Sequence, residues 1–257
     1  MILSLYLRKP NFRPAMNSVM DGLQPASGEG TVTILEAPRE TRRVDAVTLV
    51  SDELRNGILG GRYVPGQRLI EADLTQHFGV SRGPLREAFH RLAAEGLLEI
   101  VPNRGAIVRR LSRRETRELF EIRIELEALA AGLAAERALD PQVRETFSEK
   151  TAVIWEDHVR LYGRGYLEEN AIFHMAIFEA ADNHQLRDLC VRLRFPLLML
   201  QLTSSMGPEI HMRSLGEHRE IALGILDADR PRATEAMRRH LQIAAEVSMG
   251  MPDDIFR

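Results

Sequence analysis

A single cysteine, Cys190, in 257 residues excludes an intrachain disulfide framework and fits a chain folded in a reducing compartment. Aromatic residues make up only 5% of the chain. With Ala, Leu, Glu and Arg abundant, that scarcity favours packed helices over sheets. No apolar run approaches the length of a membrane span, so no membrane partner is expected. The opening M-I-L-S-L-Y-L-R-K-P has too short an apolar run and the wrong order of charge for a secretory signal. A soluble, cytoplasmic protein is the expectation. The 44% hydrophobic content and the length leave room for two ordinary domains with substantial cores.

A net positive balance is also missing from most of the chain. Residues 39–117 carry 15 arginines against 10 acidic residues, a balance of +5, whereas residues 118–257 hold 16 basic and 24 acidic residues, a balance of −8. A basic module joined to an acidic one suits one DNA-facing domain and a second that faces something else. Residues 1–42 lack sustained periodicity and are interrupted by Pro10, Pro14, Pro25, Gly28, Gly30 and Pro38. They are expected to be a disordered extension, in which T-V-T-I-L at Thr31–Leu35 is too short to establish a strand.

The basic module is organised around Phe78–Gly96. Phe78, Val80, Leu85, Ala88, Phe89 and Leu92 recur at roughly helical spacing, Gly79 supplies a tight turn, Ser81 stands at an N-cap position and Pro84 falls in the first turn. Arg82, Gly83 and Arg86 are left outward near the helix start, an arrangement suited to a recognition helix in a DNA groove. On this stretch alone, an amphipathic surface helix with solvated arginines is the alternative. Upstream, Val47, Val50, Leu54 and Ile58 mark a helix ending at Gly60-Gly61, and a short helix spans about Glu71 to Phe78. Downstream, Leu97–Val101 and Ala106–Arg110 read as strands joined by Pro102-Asn103-Arg104-Gly105. Three helices and a hairpin over residues 43–111 make a winged helix-turn-helix. Arg104 at the wing tip would reach a phosphate or the minor groove. Glu87 and Glu95 repel phosphate and are expected to pair with arginines, and His77 and His90 to be surface or packing residues.

G-G-R-Y-V-P-G-Q-R-L, then L-T-Q-H-F-G-V-S-R-G-P-L-R-E-A-F-H-R-L-A-A-E-G-L-L, then N-R-G-A-I-V resemble the DNA-binding domain of GntR-family bacterial transcription regulators across Val44–Val108. The resemblance implies DNA contacts at Arg82, Gly83, Pro84 and Arg86 on the recognition helix and at Asn103, Arg104 and Gly105 on the wing. One departure is Ala72, where some members carry a basic residue early in the second helix.

Residues 112–250 show only helical patterns, about six of them, which imply an antiparallel all-α bundle, followed by a tail at 251–257. Leu119, Ile122, Leu126, Leu129 and Leu133 form an apolar stripe over Arg113–Leu139, ended by Asp140-Pro141. The next helices are expected through Phe147 to Leu161, then near Tyr166–Ala181, Gln185–Ser205, Ile210–Leu226 and Pro231–Met249. His174 follows Asn170 by one helical turn, and His218 and His240 lie about equally far from the turn near residue 229. These groups would converge in an antiparallel pair and suit a divalent metal. Spacing alone fits unrelated core histidines at least as well. His158, His184 and His211 have no such partners and read as surface or capping residues.

R-I-E-L-E-A-L-A-A-G-L-A-A, N-A-I-F-H-M-A-I-F-E-A-A-D-N, E-H-R-E-I-A-L-G-I-L-D-A-D and A-M-R-R-H-L resemble the FCD ligand domain of the FadR-like branch of that family. The resemblance implies a metal held by Asn170, His174, His218 and His240, with zinc, nickel or manganese as the candidates. Asn170 stands where an aspartate is commoner, which removes one negative charge. Arg123 matches an arginine facing the effector cavity, implying a bidentate clamp on a small organic acid. A homodimer on pseudo-palindromic double-stranded operator DNA, acting as a repressor, follows from the same resemblance. A metal-dependent hydrolase is the alternative from another class. It lacks an H-E-x-x-H motif, and Glu217 and Glu220, one and two residues from His218, point elsewhere. A helical interaction module with structural histidines is the third reading.

Overall fold

The computed structural model of the protein describes residues 39–102, 105–156, 164–193, 195–203 and 207–257. The extension through residue 38, with Thr31–Leu35, lies outside the described residues, as do Asn103, Arg104, His158, Val159 and Leu161.

The basic module opens with α1 (Arg39–Leu59), whose Val47, Val50, Leu54 and Ile58 are fully buried, the single face their spacing demands. A two-residue strand, β1 (Arg68–Leu69), is too short to leave a periodic signal and was not expected. Then come α2 (Glu71–Phe78), α3 (Arg82–Ala94), β2 (Leu98–Val101) and β3 (Gly105–Val108). β3 is the middle strand, antiparallel to both neighbours, with Arg68 opposite Ile107 and Ile100 opposite Ala106. Leu85, Ala88, Phe89 and Leu92 bury one face of α3, which packs against α1. This is the winged helix-turn-helix expected from the pattern.

Among the described residues seven α-helices follow: α4 (Arg113–Arg137), α5 (Pro141–Lys150), α6 (Arg164–Ala181), α7 (His184–Arg192), α8 (Phe195–Thr203), α9 (Pro208–Leu226) and α10 (Arg230–Met249). The single helix expected over Gln185–Ser205 is two. Pro196 has no N–H for the carbonyl one turn earlier, so the continuous helix breaks and the proline falls in the first turn of α8. The helix expected through Phe147 stops at Lys150 and gives way to a 3₁₀ turn at Ala152–Trp155. On α4 the leucine stripe is only partly the buried face: Leu119 is buried and Leu126 and Leu133 pack half-buried against the core. Ala128, Ala130, Ala131, Ala134 and Ala135 are buried, whereas Ile122 and Leu129 are about two-fifths exposed. Alanines let α10 and α6 approach α4 closely, so small residues share the core side with Leu119 and Phe120.

The two modules meet at Leu111. Its N–H donates to Gln201 Oε1 of α8 at 2.7 Å, and Gln201 Nε2 donates to the Leu111 carbonyl at 3.0 Å. Ser112 then caps α4 in a reciprocal box with Glu115. The chain end also packs here: Phe256 is buried beneath the Arg113 guanidinium, 4.3 Å from its ring centre, and Arg257 N–H reaches the Leu111 carbonyl at 3.3 Å.

Candidate DNA interface and effector pocket

On the basic module, Ser81 has the extended backbone of an N-cap, although its hydroxyl makes no capping hydrogen bond. Arg82, Gly83 and Arg86 are exposed at the N-terminal end of α3, and Pro84 is half-buried in its first turn. A Cβ on Gly83 would meet nothing within 4 Å, so the fold itself does not require glycine there. Gly105 is different. Its φ is +87°, and a Cβ would lie 2.6 Å from the Leu69 carbonyl, so the close approach of β1 accounts for this glycine without a DNA contact. Arg86 is not an isolated cation: its Nε donates to both carboxylate oxygens of Glu71, at 2.9 and 3.0 Å. Glu95 takes two hydrogen bonds from Arg55, and Glu87 pairs with Arg91 at 3.4 Å, as expected of acids on this face. His77 and His90 are exposed.

In the bundle, α9 and α10 are antiparallel across Asp227–Asp229, which places His218 and His240 level, with ring centres 4.8 Å apart. His174 of α6 joins them at 5.3 and 5.6 Å. One nitrogen from each ring lies within 4.8 Å of those of the other two, and all three residues are buried. Asn170 is buried one turn before His174.

Two carboxylates orient this cluster. His174 Nδ1 is hydrogen-bonded to Glu127 Oε2, and Glu127 Oε1 accepts from Arg123 Nε. Burial would push the Glu127 carboxyl up, but the Arg123 guanidinium and His174 more than offset it and hold the carboxyl at about 2. Burial pushes His174 itself below its ordinary value, with Glu127 opposing, which favours the neutral imidazole a metal needs. His174 Nε2 is buried and has no hydrogen-bond partner. Such an orphaned nitrogen, opposite a nitrogen anchored by carboxylate, is the donor arrangement of a metal-ligating histidine. His240 Nδ1 is held the same way by Glu217 Oε2 at 2.7 Å. The donor set therefore fits a divalent ion.

A pocket of about 440 Å³, part of it open to solvent, reaches His240 and Asn170. Arg123 lines it, almost wholly buried, with Nη1 3.1 Å from Met199 Sδ of α8. Phe120, Leu241, Ile243 and Val247 supply apolar wall. Tyr166 is hydrogen-bonded to Ser214 at 3.0 Å, and burial outweighs that bond in raising its pKa. His211, expected as a surface or capping residue, is buried and stacked on Tyr166 with ring centres 4.1 Å apart; burial lowers its pKa. His184 is exposed.

Glu127 and Glu217 were missed. Glu127 stands four residues after Arg123, a helical ion-pair spacing that could have revealed it. Glu217 does point away from its neighbour His218, but towards His240 on the next helix, which no one-helix argument can see.

Residues 47–108 match the bacterial regulatory proteins of the gntR family, and residues 118–243 match the FCD domain. The HTH-type transcriptional repressor GlaR of Escherichia coli (strain K12) is 30% identical over 200 residues, 73% of this chain and 89% of that one. The chain belongs to the GntR family of transcription regulators. This GntR regulator carries an FCD domain and belongs with gene-control proteins, not enzymes. It is 28% identical to the E. coli (strain K12) regulator McbR over 66% of this chain and 72% of McbR. The fold is shared with E. coli McbR/YncC (TM-score 0.58, 20% identity, 79% of this chain and 96% of the other). It is also shared with a GntR regulator from Rhodococcus sp. RHA1 (TM-score 0.63, 24% identity, 81% and 99%). Among the described residues no helix is long and apolar enough to cross a membrane.

Proposed function

We propose that this GntR regulator is a cytoplasmic, metal-dependent repressor that binds pseudo-palindromic operator DNA as a homodimer and responds to a small organic acid. The domains would divide as residues 43–111 for DNA and 112–250 for effector binding and dimerisation. The observation that carries the sensor reading is the convergence of His174, His218 and His240 beside a pocket lined by the buried Arg123. His174, His218 and His240 with Asn170 would hold zinc, nickel or manganese, with zinc first because imidazole donors suit it. When bound, the ion supplies positive charge and open coordination positions for an effector oxygen. Arg123 would then clamp the carboxylate from the protein side. Repression is the sign borne by the name of the E. coli relative GlaR.

Output would run through Arg82, Gly83, Pro84 and Arg86 in a major groove, with Asn103, Arg104 and Gly105 on the wing. Support for coupling comes from α8. Met199 touches Arg123 in the pocket, and Gln201, two residues on, holds both backbone groups of Leu111 at the domain junction. An effector that binds better to one placement of α8 biases the DNA-binding modules. Ile122 and Leu129, exposed seven residues apart on α4, support a dimer surface on that helix.

Operator binding by the Arg82→Ala, Arg86→Ala protein tests the interface, and unchanged sequence-specific binding sinks it. Elemental analysis of the purified protein, with zinc calorimetry of His218→Ala, tests the sensor. Full zinc uptake by the variant removes His218 from the site.

A further inference from the structure

A short segment beyond the closing helix of a domain is ordinarily loose. Here residues 251–257 are packed: Met251 and Phe256 are buried in the core, and Asp253–Ile255 form a 3₁₀ turn. Arg113, the first residue of α4, gathers the segment. Its Nη1 donates to the Met249 carbonyl at 2.5 Å and its Nη2 to the Met251 carbonyl at 2.9 Å, while the guanidinium lies over the Phe256 ring. The exposed Asp253 carboxylate completes the set, 2.6 Å from Nη2.

From that anchor the segment reaches the DNA-binding module at two places. Arg110 Nη1 donates to the Asp254 carbonyl at 3.0 Å, and its Nε donates to the Pro65 carbonyl at 3.3 Å, in the turn between α1 and β1. Arg257 Nη1 pairs with Glu99 Oε1 of β2 at 2.9 Å. The Arg257 side chain is mostly exposed, so that pair contributes little alone, and Phe256 and Arg110 carry the attachment. Gln201 grips the connection only at Leu111, a single point about which a module can still turn. Attachment at β2 and at the α1–β1 turn removes that freedom.

We propose that residues 251–257 are a strap that fixes the orientation of the DNA-binding module on the bundle, and with it the half-site spacing the regulator accepts. The strap continues from α10, which supplies His240 and the pocket-lining Leu241, Ile243 and Val247, so one short segment joins the pocket wall to the wing sheet. Inserting one base pair between half-sites turns one of them by about 34° about the duplex axis and moves it by about 3.4 Å. A module held at Leu111 alone can follow that turn, and a strapped one cannot. The spacing consequence rests on the proposed homodimer; the strap does not.

The test compares the unmodified chain with a variant lacking residues 251–257 and with Phe256→Ala, Arg257→Ala, which keeps the chain length. Hydrogen exchange reads the strap without DNA. The Leu111 amide is expected to exchange about tenfold or more faster in both variants, while amides of α3 and α10 stay protected. Protection lost throughout α10 overturns the inference by making residues 251–257 a plug for the bundle, and unchanged exchange at Leu111 overturns it outright. Spacing is read on duplexes that the unmodified protein selects from a random-sequence pool, resynthesised with one base pair inserted at the centre. The unmodified protein is expected to lose affinity by about tenfold or more, and both variants by about threefold or less. Equal losses overturn the control of spacing. A pool enriched only in single half-sites overturns the dimer and the spacing consequence with it, while faster exchange at Leu111 still upholds the strap.

Discussion

Gln201 and Leu111, 90 residues apart, exchange two hydrogen bonds: the Leu111 N–H donates to Oε1 at 2.7 Å, and Nε2 donates back to the Leu111 carbonyl at 3.0 Å. One amide side chain on α8 thus substitutes for a strand neighbour at the point where the DNA-binding module leaves the bundle. Gln201→Leu strands the buried Leu111 N–H, at about 1–3 kcal/mol, and leaves the carbonyl with the Arg257 N–H alone. The expected outcome is faster amide hydrogen exchange at Leu111 with α4 amides still protected. Unaltered exchange at Leu111 would mean that the junction is held by other contacts.

Glu71 neutralises Arg86 at the start of the recognition helix. DNA phosphate must therefore compete with a carboxylate for this arginine. Glu71→Gln removes that competition and one negative charge from the DNA-facing side, so operator affinity is expected to rise severalfold and to depend more steeply on salt. Arg86→Ala should flatten the salt dependence by about one unit of slope. Fluorescence anisotropy across a salt series measures both. A Glu71→Gln protein with unchanged affinity places Arg86 away from the DNA.

Gly83 has open space where a Cβ would go and carries no positive φ. Gly83→Ala is expected to stabilise the folded protein slightly, by about 0.4–1 kcal/mol, because the unfolded chain loses freedom. If DNA backbone or base edges occupy that space, the same variant binds operator more weakly. Urea denaturation with operator titration separates the two effects, and retained affinity shows that the space is not used.

Glu127→Gln keeps a hydrogen-bonding side chain beside His174 but removes the charge that orients it and balances Arg123. Loss of such a supporting carboxylate is expected to weaken zinc affinity about 10–100-fold. Competition against a chromophoric chelator reads the change. Equal affinity in the variant would leave Glu127 as a partner of Arg123 alone.

Burial pushes the Cys190 thiol up to about 12 in a residue that is 3% exposed. Ordinary thiol reagents at pH 8 should leave it unmodified until the protein unfolds. The raised value also fixes the sign of a pH effect. Above about pH 9 the unfolded thiol ionises while the folded one does not, so its contribution to stability is lost between 9 and 12, by about 1.4 kcal/mol per pH unit at the steepest. Cys190→Ala should be less sensitive over that range in urea denaturation. Parallel curves for the two proteins contradict a buried thiol.

Wherever local spacing carried the information, it was legible without coordinates. Val47, Val50, Leu54 and Ile58 gave away α1, and Leu85, Ala88, Phe89 and Leu92 gave away α3, because periodic burial is written into residue order. The His218–His240 pairing was legible too, since counting from a tight turn predicts what lies level in an antiparallel pair. The α4 stripe was right at Leu119 and misled at Ile122 and Leu129, because a large apolar residue marks burial only when nothing smaller allows closer packing. There the alanines took the core side and Ile122 and Leu129 stayed exposed.

By itself the amino-acid order determined a basic winged helix-turn-helix joined to an acidic helical bundle, and which arginines and histidines were candidates for contact. Helical period, turn residues and charge are properties of neighbours along the chain. Only the tertiary structure decided that Glu127 orients His174, that Glu217 serves His240 and not His218, that Glu71 engages Arg86, and that Gln201 holds Leu111. Each of those contacts joins residues more than ten positions apart. Their geometry comes from how closely two elements pack, which no pattern within either element specifies.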